Sequence, residues 1–79
     1  MNYLIVKHFS GREIPFIFPE TVAHVDMRDQ LPYGDIISAG VVCLGPNGFV
    51  CSGGDKELGI AARPEKDAAV IGDALREQD

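Results

Sequence analysis

The sequence predicts a small α+β domain: a mostly antiparallel sheet of four to five short strands, with a C-terminal helix packed on one face. Three observations predict this class: β-rich segments joined by Gly, Pro and Asn turns, one amphipathic final helix, and a length of 79 residues. A chain this short can build only one core. We therefore expect a single domain over residues 1–79, with the element order ββαββ(β)α.

The first two strands are predicted as a hairpin, because β-rich segments flank a Ser-Gly dipeptide at 10–11. A two-residue loop there would place Tyr3 opposite Phe18 and would put Phe16 on the same face. Pro15 cannot donate to a strand ladder. Its strand is therefore expected at an edge of the sheet.

A short helix is predicted over residues 21–31, with Thr21 as N-cap and Pro32 enforcing its end. Helical spacing places a group of side chains on one side of it, namely Ala23, Met27 and Leu31, with His24 beside them. The loop that follows contains Tyr33 and Asp35.

A second hairpin is predicted around the Gly-Pro-Asn-Gly segment at 45–48. A three-residue loop of Pro46, Asn47 and a left-handed Gly48 would pair Cys43 with Cys51. Both thiols would then face each other on one side of the sheet. Three interpretations remain open: a disulfide, half of a metal site, or buried apolar thiols, of which the last is favoured because the chain shows no secretory signal.

The remaining segment predicts a turn over residues 53–56, a short strand over 57–61, and a helix that begins at Pro64. Glu65 and Asp67 complement the positive end of the helix dipole. An apolar stripe predicts that the helix lies on the sheet, and a close approach to the sheet would explain Gly72 within it. The stripe consists of Ala68, Val70, Ile71, Ala74 and Leu75.

Composition excludes several function classes. The net charge is −5 and the seven Lys and Arg residues are scattered, so direct nucleic-acid binding is not expected. No apolar run reaches the roughly 18 residues that a membrane span needs, and no signal peptide is evident, so we expect a cytoplasmic protein. His8 and His24 lie at no ligand spacing from the cysteines, so no metal or other cofactor is predicted. We expect His8 to form a surface pair with Glu13.

Candidate binding residues lie in two loops. Tyr33 is flanked by Pro32 and Gly34, where an aromatic side chain is expected at the surface. Glycine-rich loops often carry binding functions. The predicted binding residues are Tyr33, Asp35, Gly53, Gly54 and Asp55, and no catalytic motif accompanies them.

Several short motifs carry a resemblance: residues 37–42 (ISAGVV), 51–53 (CSG), 57–60 (ELGI) and 63–69 (RPEKDAA). With the opening hairpin, they resemble a group of small uncharacterised phage and prophage proteins of proteobacteria. The group carries no activity that can be transferred. What the resemblance implies is context, because small phage accessory proteins commonly act by binding, and some inhibit host defence systems.

The sequence therefore predicts a non-enzymatic module that binds a protein partner, with inhibition of a host machine as the role that the resemblance implies, and homo-oligomers are compatible with it. A second hypothesis is a small-molecule or nucleotide-binding module formed in an oligomer, since one small core leaves little room for a pocket. A third is an enzyme that uses Cys43 or Cys51 as a thiolate.

Overall fold

A computed structural model describes residues 1–32 and 35–77, excepting the side chains of residues 76 and 77. It confirms the α+β fold. The elements in chain order are β1 (Asn2–Lys7), β2 (Glu13–Phe18), α1 (His24–Gln30), β3 (Ile36–Gly45), β4 (Gly48–Ser52), β5 (Gly54–Asp55), β6 (Ile60–Ala61) and α2 (Pro64–Glu77).

The main sheet has four antiparallel strands in the order β2-β1-β3-β4, and β5 pairs with β6 in a separate small hairpin. Strand β1, which carries the apolar run from Tyr3 to Val6, is internal and buried. Strands β2 and β4 form the two edges. The position of Pro15 on an edge strand is confirmed.

The sheet is the middle of three layers. Helix α2 covers one face, where Ile71 packs with Tyr3, Ile5, Val42 and Cys51. We call this the α2 face. The opposite side, the α1 face, is covered by α1 and by the β5–β6 segment, which pack on a buried cluster of Leu4, Phe18 and Ala39.

The first hairpin differs from the predicted register by one residue. Tyr3 pairs with Ile17 instead of Phe18. The difference arises because the loop spans residues 8–12: the His8 amide donates to the Arg12 carbonyl at 2.8 Å, and Gly11 takes a φ of 92°. Alternation along the strands therefore places Tyr3 on the α2 face and the two phenylalanines of β2 on the α1 face, so the predicted shared face was wrong.

Helix α1 begins at His24, three residues later than predicted. Thr21 is not its N-cap, because residues 19–22 form a turn in which the Val22 amide donates to the Pro19 carbonyl at 3.0 Å. Ala23, expected in the apolar stripe, is exposed, whereas Val22 packs against the α1-face cluster. Met27 and Leu31 pack there as predicted.

The segment between β4 and α2 also departs from prediction. Gly54 and Asp55 form β5 instead of a turn, and the turn occupies residues 56–59, where Gly59 has a φ of 68°. The short strand predicted over 57–61 is reduced to Ile60–Ala61.

The final helix begins at Pro64 as predicted, and its stripe residues Ala68, Val70 and Ile71 pack on the sheet. Leu75, placed in the same stripe, is 38% exposed. A methyl group at Gly72 would meet no atom within 4 Å. The predicted close approach of helix to sheet at this glycine was therefore wrong.

Candidate functional site

The β3–β4 hairpin turns through a loop of two residues, Pro46 and Asn47, and not three. Gly45 pairs with Gly48, and Leu44 pairs with Phe49. Gly48 does adopt a positive φ, of 121°, but it does so inside the ladder instead of within the loop. This shifts the predicted pairing by one residue.

The shift separates the two thiols. Cys43 pairs with Val50, and Cys51 pairs with Val42, so the cysteines lie on opposite faces of the sheet. Cys51 is buried under α2 and Cys43 is exposed. The predicted cross-strand thiol pair was wrong, and both cysteines are free.

The same register leaves apolar side chains on the surface of this hairpin. Leu44 is 77% exposed and Val50 is 56% exposed, and the exposed Cys43 pairs with Val50 in the ladder. Phe49 is half-buried and packs against the core under α2. The hairpin thus presents exposed apolar groups on both faces while it remains attached to the core through Phe49 and Cys51.

The two edges of the sheet differ chemically. Edge strand β2 contains Pro15, which lacks an amide hydrogen, and Glu13, whose carboxylate lies 2.6 Å from the Arg63 guanidinium. Edge strand β4 has the sequence GFVCS, without a charge or a proline, and it pairs with β3 without a register shift. Charges, prolines and bulges are the features that block edge strands from pairing with other chains. Strand β4 has none of them.

The outward backbone groups of β4 follow from its register. Gly45 and Gly48 flank a two-residue loop as a hydrogen-bonded pair, so alternation makes Cys43 and Val50 the next such pair. The amides and carbonyls of Phe49 and Cys51 therefore point away from β3. Within residues 1–32 and 35–77, none of the backbone–backbone hydrogen bonds outside the helices and strands involves these outward groups. We define the β4 surface as this edge together with Cys43, Leu44 and Val50.

A buried polar cluster lies between α2 and the sheet, and it is centred on Asp67. Its Oδ2 accepts hydrogen bonds from the Tyr3 hydroxyl at 2.6 Å and from the Arg63 amide at 2.8 Å. Its Oδ1 accepts from the Ser38 hydroxyl at 2.8 Å and from Arg63 Nε at 3.0 Å. The guanidinium of Arg63 also donates to Glu13 at 2.6 Å. These contacts connect α2 to β1, β2 and β3.

Sequence reasoning assigned Asp67 only to the helix dipole and missed this cluster. One signal was present: Arg63 and Asp67 have the i, i+4 spacing that brings side chains together at a helix start. The contributions of Tyr3 and Ser38 depend on the β1–β3 register, which the sequence does not specify.

The pKa values of three side chains in and beside this cluster are raised. Burial raises the pKa of the Tyr3 phenol, and the hydrogen bond to Asp67 raises it further. Burial and the charge of Asp67 likewise raise the pKa of the Cys51 thiol. Burial would lower the pKa of Arg63, but its contacts with Glu13 and Asp67 outweigh that effect and raise it. Tyr3 and Cys51 are therefore held protonated, which does not favour Cys51 as a nucleophile.

His24 forms a second polar centre, on the α1 face. Its Nε2 lies 2.9 Å from the Gly40 carbonyl oxygen, which can only accept, so Nε2 donates. Its Nδ1 lies 3.5 Å from Oδ1 of Asp55, and the ring packs edge-on against Phe18 at 5.4 Å between centroids. Asp55 also accepts a hydrogen bond from the Leu58 amide at 3.0 Å. His24 thus joins α1, β3 and β5.

The predicted binding residues fall in different places. Tyr33 lies outside the described residues. Asp35 is exposed and borders a shallow depression with Lys7 and Arg28. A separate depression, of about 560 Å³, brings the other three predicted residues together and is lined by Gly53, Gly54, Asp55, Lys56, Gly59, Ile60 and Ala61. The carboxylate of Asp55 is directed toward His24 and Leu58, so it contributes to this depression mainly as part of its wall.

The predicted His8–Glu13 pair was wrong, since His8 Nδ1 lies 2.8 Å from the Ser10 hydroxyl and Glu13 binds Arg63. In the part of the chain that the structure describes, no three His, Cys, Asp or Glu side chains are grouped closely enough to hold a metal ion. Among the same residues, neither helix has the length and apolarity that crossing a bilayer requires.

Comparison with protein-family models, with curated proteins and with solved structures finds no match to this chain.

Proposed function

We propose that this chain is a non-enzymatic protein-binding module that docks its partner on the β4 surface. One observation carries the proposal: an uncharged, proline-free edge strand with outward amides lies beside the exposed side chains of Leu44 and Val50. An edge of this kind can accept an extended segment of another protein, in which main-chain hydrogen bonds supply affinity and flanking side chains supply specificity.

The surroundings of the β4 surface support a docking role. Phe49 and Cys51 fix the strand to the core, so the edge is held in an extended conformation before any partner binds. A preformed edge loses less conformational entropy on binding than a flexible segment would. A cytoplasmic setting, and inhibition of a host machine as suggested by the resemblance to phage accessory proteins, belong to this same proposal.

Site-specific photo-crosslinking in cells that express the protein tests the proposed docking on the β4 surface. A photoreactive residue at Val50 is compared with one at Ile17, which is 37% exposed on the opposite edge strand and serves as the matched control. We expect covalent adducts with protein from position 50 and few from position 17. Equal yields from both positions, or no adduct from position 50, would overturn the proposal.

A second candidate function, small-molecule or nucleotide binding, is favoured by the depression at residues 53–61. Its glycine-rich wall allows close approach to the backbone, and exposed Lys56 supplies a cation at its rim. A nucleotide at one hundred times its dissociation constant should stabilise the fold by about 2.7 kcal/mol. We expect a thermal shift that is lost in Lys56→Ala and kept in Lys66→Ala. A panel of nucleotides that produces no shift would remove this candidate.

A further inference from the structure

We propose that the occupant of the β4 edge is a second copy of this chain, paired antiparallel about a two-fold axis through Val50. This inference rests on the proposed function, because it names the partner of the same surface. It depends on the register of the hairpin, on the chemistry of the edge and on the charge of the whole chain.

The register of β4 makes the edge self-complementary. A two-fold axis at Val50 places Phe49 opposite Cys51 of the second copy, and Cys51 opposite Phe49 of the second copy. These are the residues whose amides and carbonyls point outward, because Val50 already bonds with Cys43. Each outward amide would therefore find an acceptor on the other copy. An axis centred on Phe49 would pair Phe49 with Phe49 of the second copy and would leave Cys51 without a partner in β4. An axis centred on Cys51 would likewise leave Phe49 without a partner.

The side chains at the axis are also compatible. Val50 would face Val50 of the second copy as a non-hydrogen-bonded pair, the arrangement in which opposite side chains lie closest. β-Branched residues pack well at such positions. The Val50 side chain is 56% exposed in the single chain, so it can enter this contact without repacking the core. The two β3–β4 hairpins would then lie side by side in one continuous sheet.

Strand β4 is better suited to self-association than the other edge, although the net charge of the chain opposes both. The chain carries a net charge of −5, so two copies repel each other over most of their surfaces. Strand β4 is uncharged, whereas β2 contains Glu13 and Pro15. Added salt should therefore strengthen the association, because it screens the repulsion between copies while leaving the apolar and main-chain contacts intact.

The interface is small, which sets the expected affinity. A five-residue edge offers far fewer than the roughly 20–30 residues a side of a standard stable interface. We therefore expect a weak dimer, with a dissociation constant between about 1 μM and 1 mM. The fraction of dimer therefore has to be measured as a function of protein concentration.

Sedimentation equilibrium over this concentration range, with charge-swap variants, tests the inference. We expect the mass to rise from 8.5 kDa toward twice that value for the unaltered chain. Val50→Lys and Val50→Glu alone should each remain monomeric, since like charges would meet at the axis. An equimolar mixture of the two should recover a dimer. Ile17→Lys, on the opposite edge, should dimerise like the unaltered chain and controls for a general effect of added charge.

The outcomes separate this inference from the proposed function. A monomer at every concentration, or Val50→Lys that dimerises as well as Ile17→Lys, would overturn the second copy as occupant. A dimer that both charged variants abolish but their mixture does not restore would overturn the two-fold axis at Val50. If position 50 nevertheless crosslinks to a different protein, the protein-binding function stands and only the occupant is wrong. If position 50 crosslinks to nothing, both fail.

Discussion

The two faces of the sheet each bury a polar centre, and the two centres are built differently. Under α2, Asp67 has no exposed surface, and donors from Tyr3, Ser38 and Arg63 lie within 3.0 Å of its oxygens. On the α1 face, His24 retains slight exposure, and its nearest carboxylate oxygen is 3.5 Å away. The α2 face therefore depends on a fully compensated buried charge, whereas the α1 face depends on a looser contact.

The difference matters for how each covering layer is held. Helix α2 is connected through Asp67 to strands in the middle of the sheet, so loss of that carboxylate leaves several buried groups without partners. His24 connects α1 to β3 and to the small β5–β6 hairpin, which has few residues of its own. We therefore expect global destabilisation from changes on the first face and more local loosening from changes on the second.

The largest expected effect is that of Asp67→Ala. Removal of one partner from a buried ion pair typically costs about 3–5 kcal/mol, because the remaining charge and donors stay buried without compensation. A chain of 79 residues has little stability in reserve, so the variant should be largely unfolded at 25 °C. Urea denaturation followed by circular dichroism measures this.

Glu65→Ala is the matched control for that experiment, because Glu65 is an exposed acid in the same first turn of α2. It should lose only the small helix-dipole contribution. An Asp67→Ala variant as stable as Glu65→Ala would show that the buried cluster contributes little to folding.

The next effect is that of His24→Ala, which should cost about 1–3 kcal/mol by leaving the Gly40 carbonyl without its donor. Relative to the unaltered chain, amide hydrogen exchange should accelerate more in β5 and β6 than in β1. His8→Ala, in the first hairpin loop, is the control and should leave both rates unchanged. Uniform acceleration over all strands would contradict the local character of the α1-face contact.

The sequence predicted the fold better than it predicted these contacts. Helix α2 and the edge position of Pro15 could be read because they depend on local rules: an apolar stripe, a helix-start proline and a missing amide. Both hairpin registers were displaced by one residue, because a loop one or more residues longer or shorter satisfies the same turn chemistry.

These one-residue errors in register had chemical consequences. The error in the second hairpin predicted a facing pair of Cys43 and Cys51, which in fact lie on opposite faces. The error in the first hairpin placed Tyr3 on the same face as the phenylalanines of β2 and so hid its contact with Asp67. Asp67 itself looked like an ordinary acid in a first helical turn. Its burial depends on Tyr3 and Ser38, which are far away in sequence, so no local pattern indicates it.

High pH should distinguish the faces again, with a smaller effect. The pKa of Tyr3 and that of Cys51 are raised in the folded state, so the unfolded chain ionises first as pH increases. Stability is therefore fully present below the ordinary pKa values, about 8.5 for cysteine and about 10 for tyrosine, and falls above them. Each group contributes a slope of at most about 1.4 kcal/mol per pH unit.

Urea titrations at several pH values measure that slope. Cys51→Ala should reduce the loss of stability that begins near the ordinary cysteine pKa. Cys43→Ala, on the exposed side of the same hairpin, should leave it unchanged. Equal pH profiles for the two variants would contradict the assignment of the alkaline loss to the α2 face.

The smallest effect has the opposite sign. Gly72→Ala should stabilise the chain by up to about 1 kcal/mol, because alanine is the better helix former and its methyl group meets no atom within 4 Å. Gly40→Ala is the contrasting control, since its methyl group would contact the Ser52 carbonyl and the ring of Tyr3, and it should destabilise. Thermal unfolding of both variants measures the pair. Destabilisation by Gly72→Ala would mean that α2 lies closer to the sheet than its contacts indicate, and the α2 face would then depend on backbone proximity as well as on Asp67.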